Sequence, residues 1–133
     1  MSSGITYEPN SIDESEVGKY ASQLPKPVGY TMLLALPDPK DKTNGGIVIP
    51  EARLSEERAA SVVGMVLFQG PDCYSDKKRF PSGAWCKEGD WVVIRSYAGN
   101  RVLLHGKEFR LISDDGIEAV VEDPSGLARV SGA

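Results

Sequence analysis

Apolar residues fall into short runs bounded by Gly, Asp or Pro, and the runs predict strands more than helices. Tyr30 to Leu36 (YTMLLAL) is nearly continuous in apolar residues, which predicts a first strand covered on both faces. Val62 to Phe68 (VVGMVLF) predicts a second, with Gly64 marking a bulge or tight bend. Gly89-Asp90 closes a turn before a third, Trp91 to Arg95. Arg101 to Leu104 and Glu108 to Ile112 flank His105-Gly106-Lys107 and read as a short hairpin. Asp114-Asp115-Gly116 is another turn, and Ile117 to Val121 the last strand. Short strands separated by Gly and Asp turns predict an all-β domain, a small barrel or sandwich.

The pattern differs before Pro25-Lys26-Pro27. Residues 1–26 form an acidic N-terminal extension without strand alternation. Ser11-Ile12-Asp13-Glu14 has the spacing of a capping box, and Val17, Tyr20, Ala21 and Leu24 would share one helical face. The extension reads either as a short amphipathic helix or as a disordered acidic tail. Residues 27–123 carry the domain, and 124–133 a loose tail. Two connections exceed what a compact domain needs: residues 37–61, and residues 71–88 with both cysteines.

Composition narrows the function. The 133 residues suffice for one domain. A formal net charge of −4 disfavours nucleic-acid binding, which draws on a basic excess. No apolar run approaches a membrane span, and the polar start lacks the pattern of a signal peptide, so the expectation is a cytoplasmic protein. Cys73, Cys86 and His105 are the chain's only thiols and imidazole, short of the four ligands of a structural zinc. No P-loop, G-x-G-x-x-G or G-x-S-x-G motif is present, and no catalytic residue emerges.

The most informative segment is Gly45-Gly46-Ile47-Val48-Ile49-Pro50, inside the first long connection. On one reading Ile47 to Ile49 is an ordinary strand and Asn44-Gly45 its hairpin turn, NG being a strong hairpin signal. On the other, three β-branched apolar residues dock into a partner's groove. Gly45 and Gly46 then act as a hinge, and Pro50 lowers the ordering cost.

In order along the chain, GGIVIP, VVGMVLFQG, KEGDWVVI and SYAGNRVLLHGKEFRLISDDGIEAVVED resemble the GroES co-chaperonins, the small chaperonin subunits. The Gly-Gly-Ile-Val-Ile stretch is similar to the family's mobile loop. Gly64, Val66 and Gly70 match its G-x-V-x-x-x-G pattern, and Glu88 to Val92 match in part its V-G-D-x-V turn and strand. Tyr97-Ala98-Gly99 precedes the hairpin, and Gly116 to Ala119 compare with the family's final D-I-L-A strand. The resemblance runs from about Pro27 to Glu122.

The resemblance implies a small irregular GroES-like β-barrel with a mobile loop at 37–61 and a roof hairpin at 71–88. It implies a non-enzymatic cap: a homo-oligomeric, seven-membered ring that closes a GroEL-type chaperonin over unfolded substrate proteins. No cofactor is expected on this chain, since ATP is bound by the partner chaperonin, and neither nucleic acid nor membrane is a partner. Ile47, Val48 and Ile49 would bind the chaperonin, and seven loops acting together would make weak contacts suffice. Neighbouring subunits would join through the first and last strands, at Tyr30, Met32, Leu34, Leu36, Ile117, Ala119 and Val121. The N-terminal extension and the roof sequence depart from the family. In the roof, Lys77, Lys78, Arg79 and Phe80 read either as a solvated turn or as altered roof geometry. Such divergence suits a virus-encoded member acting in a host cytoplasm. Two other readings remain at this point: a β-barrel adaptor whose IVI strand is structural, and a GroES-like fragment of a zinc-dependent alcohol dehydrogenase.

Overall fold

The computed structural model describes residues 21–37, 61–127 and 130. Within them lie β1 (Thr31–Ala35), β2 (Val63–Gln69), β3 (Trp91–Ile94), β4 (Asn100–Leu104), β5 (Lys107–Ser113) and β6 (Ile117–Val121). Each predicted strand is present within one residue at either end. All ladders are antiparallel and join one six-stranded sheet in the order β4-β5-β1-β2-β3-β6. The described residues are therefore all-β, with short 3-10 turns at Ala21–Gln23 and Asp114–Gly116.

The strand β1 organises the interior because alternate residues point to opposite faces. Met32 and Leu34 enter a cluster with Val66, Val92, Ile94, Ile112 and Ile117. Leu33 and Ala35 enter a second cluster with Phe109 and Leu24. Both faces are thus covered, as the unbroken apolar run predicts. Leu24 comes from the N-terminal extension and is buried, so the end of that extension is part of the core. Residues 1–20, with most of the predicted helix, lie outside the described residues.

Three expectations need correction. First, β1 is not an edge of the sheet. It pairs with β2 on one side and β5 on the other, so its backbone cannot also pair with a neighbouring subunit. Second, Gly64 is not a bulge. The ladder pairs Leu33 with Phe68 and Leu34 with Val66, leaving Leu67 as the extra residue. Gly64 instead lies at a close approach: a Cβ there would stand 3.2 Å from Leu36 Cδ2 and 3.3 Å from Leu34 Cβ, so these side chains would have to give way slightly. Third, residues 71–88 contain no strand and form a chain of turns folded onto the first cluster. Tyr74, Phe80 and Cys86 are buried there, which outweighs any tendency to project as a hairpin.

The β4–β5 connection is tighter than predicted. Leu104 pairs with Lys107, so only His105 and Gly106 form the turn. Their φ values of 51° and 79° are the left-handed pair that a two-residue hairpin requires. His105 Nε2 and Gln23 Oε1 lie 2.7 Å apart, tying the N-terminal segment to the hairpin tip.

Candidate functional site

Residues 38–60 connect β1 to β2, and Ile47, Val48, Ile49, Gly45, Gly46 and Pro50 therefore lie outside the described residues. The base of this connection is well defined. β1 and β2 are antiparallel neighbours, with Ala35 opposite Met65, so both ends of the connection leave the sheet at the same end of one strand pair. Leu36, Pro37 and Ser61 are buried. Ser61 Oγ donates to the Val63 carbonyl at 3.1 Å, and Leu36 N donates to the Glu108 carbonyl at 3.4 Å.

Beside that base lies a charged network absent from the sequence reading. Glu108 Oε2 accepts from Arg110 Nη2 at 3.0 Å, with both side chains buried. Arg101 adds a two-pronged contact, Nε to Oε2 at 3.1 Å and Nη2 to Oε1 at 3.0 Å. Arg110 Nη1 also donates to the Ala98 carbonyl at 3.0 Å. Hydrogen bonding to the Glu108 carboxylate holds the Arg101 guanidinium above its ordinary pKa. The readable signal was opposite charges two apart on β5, which places Glu108 and Arg110 on one face.

The segment 71–88 is anchored by another buried carboxylate. Tyr74 N donates to Asp114 Oδ2 at 3.0 Å, and Tyr74 Oη donates to the Asp114 carbonyl at 2.8 Å. Tyr74 meets Phe80 edge-on at 4.8 Å, and Phe80 meets Trp85 edge-on at 4.9 Å. Burial pushes the Tyr74 phenol and the Cys73 and Cys86 thiols up. Cys86 Sγ packs 3.4 Å from Tyr74 Oη and both cysteines are free thiols. Of the predicted roof residues, Lys77, Lys78 and Arg79 are exposed, whereas Phe80 belongs to the core. Arg79 pairs with Asp115 at 2.6 Å.

The residues expected at a subunit interface separate into two groups. Met32, Leu34, Leu36 and Ile117 are buried in this chain's own interior, because β1 is central and Ile117 faces the first cluster. Tyr30 is half exposed, Ala119 is exposed, and Val121 is partly buried on β6, which forms one end of the sheet.

The family model of the chaperonin 10 kDa subunit matches residues 25–121, the span from the entry to β1 through the end of β6. The chain belongs to this family. Co-chaperonin GroES of Methylacidiphilum infernorum is 31% identical over 98 residues, covering 73% of this chain and 93% of the relative. Co-chaperonin GroES of Aquifex aeolicus is 36% identical over 92 residues, covering 69% of this chain and 71% of the relative. That of Alkaliphilus metalliredigens is 33% identical over 97 residues, with 73% and 97% covered. Among the readings open at the sequence, co-chaperonin is the one these matches support, and the family is one of non-enzymatic chaperones. Among the described residues no group of three or more His, Cys, Asp or Glu could hold a metal ion. No helix among them is long and apolar enough to cross a membrane.

Proposed function

We propose that this co-chaperonin assembles into a seven-membered ring and caps a GroEL-type chaperonin while nucleotide is bound there, closing a chamber in which unfolded proteins fold. The observation that carries the reading is the family match across residues 25–121, which contains the whole β1–β2 connection. Ile47, Val48 and Ile49 bind the chaperonin, with Gly45, Gly46 and Pro50 setting how the segment reaches it. The buried base at Leu36, Pro37 and Ser61 supports this, because it fixes both roots of the connection at one end of the β1–β2 pair. Ordering the segment opposes binding and keeps the cap releasable, while several loops engaging together restore affinity. The chain binds no ATP itself, and the cytoplasm is where it meets its partner.

The test is Ile47→Asp in the full chain. The reading expects unchanged circular dichroism and unchanged assembly, with chaperonin binding lost. An unfolded variant would instead return the tripeptide to a structural strand, because the charge would then have entered a core.

A further inference from the structure

We propose that the N-terminal extension, residues 1–20, folds back over its own chain and covers the second hydrophobic cluster, with Val17 and Tyr20 as its anchors. Such a strap belongs to the single subunit, whatever ring that subunit forms.

The two faces of the sheet are closed unequally. On the first, segment 71–88 contributes Tyr74, Phe80 and Cys86 to the cluster. On the second, every described member except Leu24 comes from a strand of the sheet itself. Leu67, Phe68, Val102, Leu104 and Leu111 remain only partly buried there. They lie on β2, β5 and β4, to either side of the central β1, and so form one apolar surface across four neighbouring strands. Among the described residues nothing but Leu24 roofs it. A contiguous surface of this kind gains by being covered.

The occupant is named by where the chain enters. Residues 1–20 lead into Ala21, three positions before the buried Leu24, and Gln23 Oε1 lies 2.7 Å from His105 Nε2 at the tip of the β4–β5 hairpin. The extension therefore starts at the rim of the uncovered surface. Twenty residues reach about 30 Å as a helix. The three strand spacings from β4 to β2 amount to only about 14 Å, so the reach is ample. Of the apolar spacing Val17, Tyr20, Ala21 and Leu24, Leu24 is already seated in the cluster, whereas Ala21 in the 3-10 turn is exposed. Val17 and Tyr20 are thus the side chains left to dock. Charge favours the same placement. The extension carries Glu8, Asp13, Glu14 and Glu16 against Lys19, and the hairpin carries Arg101, Lys107 and Arg110 against Glu108. Lys107 shares a face of β5 with Phe109 and Leu111, at the edge of the cluster. Because the Glu108 carbonyl on β5 also accepts from Leu36 N, a strap seated here braces the strand that holds one root of the β1–β2 connection.

Amide hydrogen exchange of the full chain, read by mass spectrometry on peptides from the extension, tests this. Amides of the stretch before Ala21 should exchange about tenfold or more slowly than in the isolated peptide of the same sequence. Val17→Asp combined with Tyr20→Asp should return them to the peptide's rate, while Ser3→Asp leaves them protected. On the receiving side, Val102→Ala and Leu104→Ala should each speed exchange in the extension by about threefold or more. The Val17 and Tyr20 pair precedes every strand in sequence, which keeps the test valid if a β4 substitution misfolds. Exchange at the peptide's rate in the wild-type chain overturns the strap. Protection that survives the Val17 and Tyr20 pair, or both β4 substitutions in a folded chain, overturns it too. Protection that vanishes on dilution to the monomer would seat the extension on a second copy, and that result also contradicts a strap within one chain.

Discussion

Two buried carboxylates hold two different regions of this molecule, and they are satisfied in opposite ways. Glu108, on the β4–β5 hairpin, faces guanidinium groups of Arg110 and Arg101, each at 3.0 Å. Asp114, beneath segment 71–88, receives the Tyr74 backbone N–H at Oδ2, while its Oδ1 has no hydrogen-bond partner. The first site is ionic. Removing its carboxylate takes a buried counter-charge from Arg110 and breaks a hydrogen bond to it. The second is held by neutral donors, and one of its two carboxyl oxygens goes without a hydrogen bond. The ionic site lies beside the base of the β1–β2 connection, through the Leu36 to Glu108 backbone bond, whereas the neutral one secures a surface segment. Burial of an acid therefore carries no fixed sign for stability; its partners decide.

Substitutions can break this contrast, and urea unfolding at fixed protomer concentration reads each of them. Glu108→Gln should have the largest effect, about 3 kcal/mol of destabilisation, because a buried carboxylate bridging two guanidinium groups loses its charge. Tyr74→Phe should cost about 1 kcal/mol by removing the donor to the Asp114 carbonyl, a backbone acceptor left buried. Asp90→Asn is the surface reference. Its carboxylate lies 2.9 Å from the exposed Lys87 ammonium, and the loss should be about 0.5 kcal/mol. Asp114→Asn should be the smallest, near zero, since the amide oxygen keeps the Tyr74 N–H and Oδ1 has no hydrogen bond to lose. A large loss there would show that Asp114 is as ionic a site as Glu108.

Asp90 also gives a pH dependence. Burial raises its pKa, but hydrogen bonds from the Lys87 ammonium and backbone outweigh this, so the folded value lies below the ordinary one. A depressed carboxylate stabilises the folded state above its unfolded pKa, and that contribution is lost as pH falls through the folded value, below about 4. The acid limb of the stability curve should flatten slightly in Asp90→Asn.

Most of the fold was legible because strand period and turn chemistry are local. YTMLLAL, VVGMVLF and WVVI could scarcely be anything but strands, and Gly-Asp and His-Gly punctuate them as their backbone requires. What escaped was decided by contacts distant in sequence. Nothing near residues 30–36 says that β5 will return to cover the second side of β1. Gly64 looked like a bulge, but its role depends on Leu34 and Leu36 across the ladder. Tyr74 is held by Asp114, far along the chain, and Phe80 packs on Tyr74, so no local pattern signals their burial. Of the candidate site, the tripeptide Ile47 to Ile49 stood out by its composition, whereas the anchoring side chains of its base did not.

The central claim is that this chain caps a chaperonin, and co-sedimentation of the purified full chain with a GroEL-type chaperonin tests it most directly. The account predicts binding that requires adenine nucleotide and disappears in Ile47→Asp. A folded wild-type chain that fails to sediment with several such chaperonins in the presence of nucleotide would contradict it.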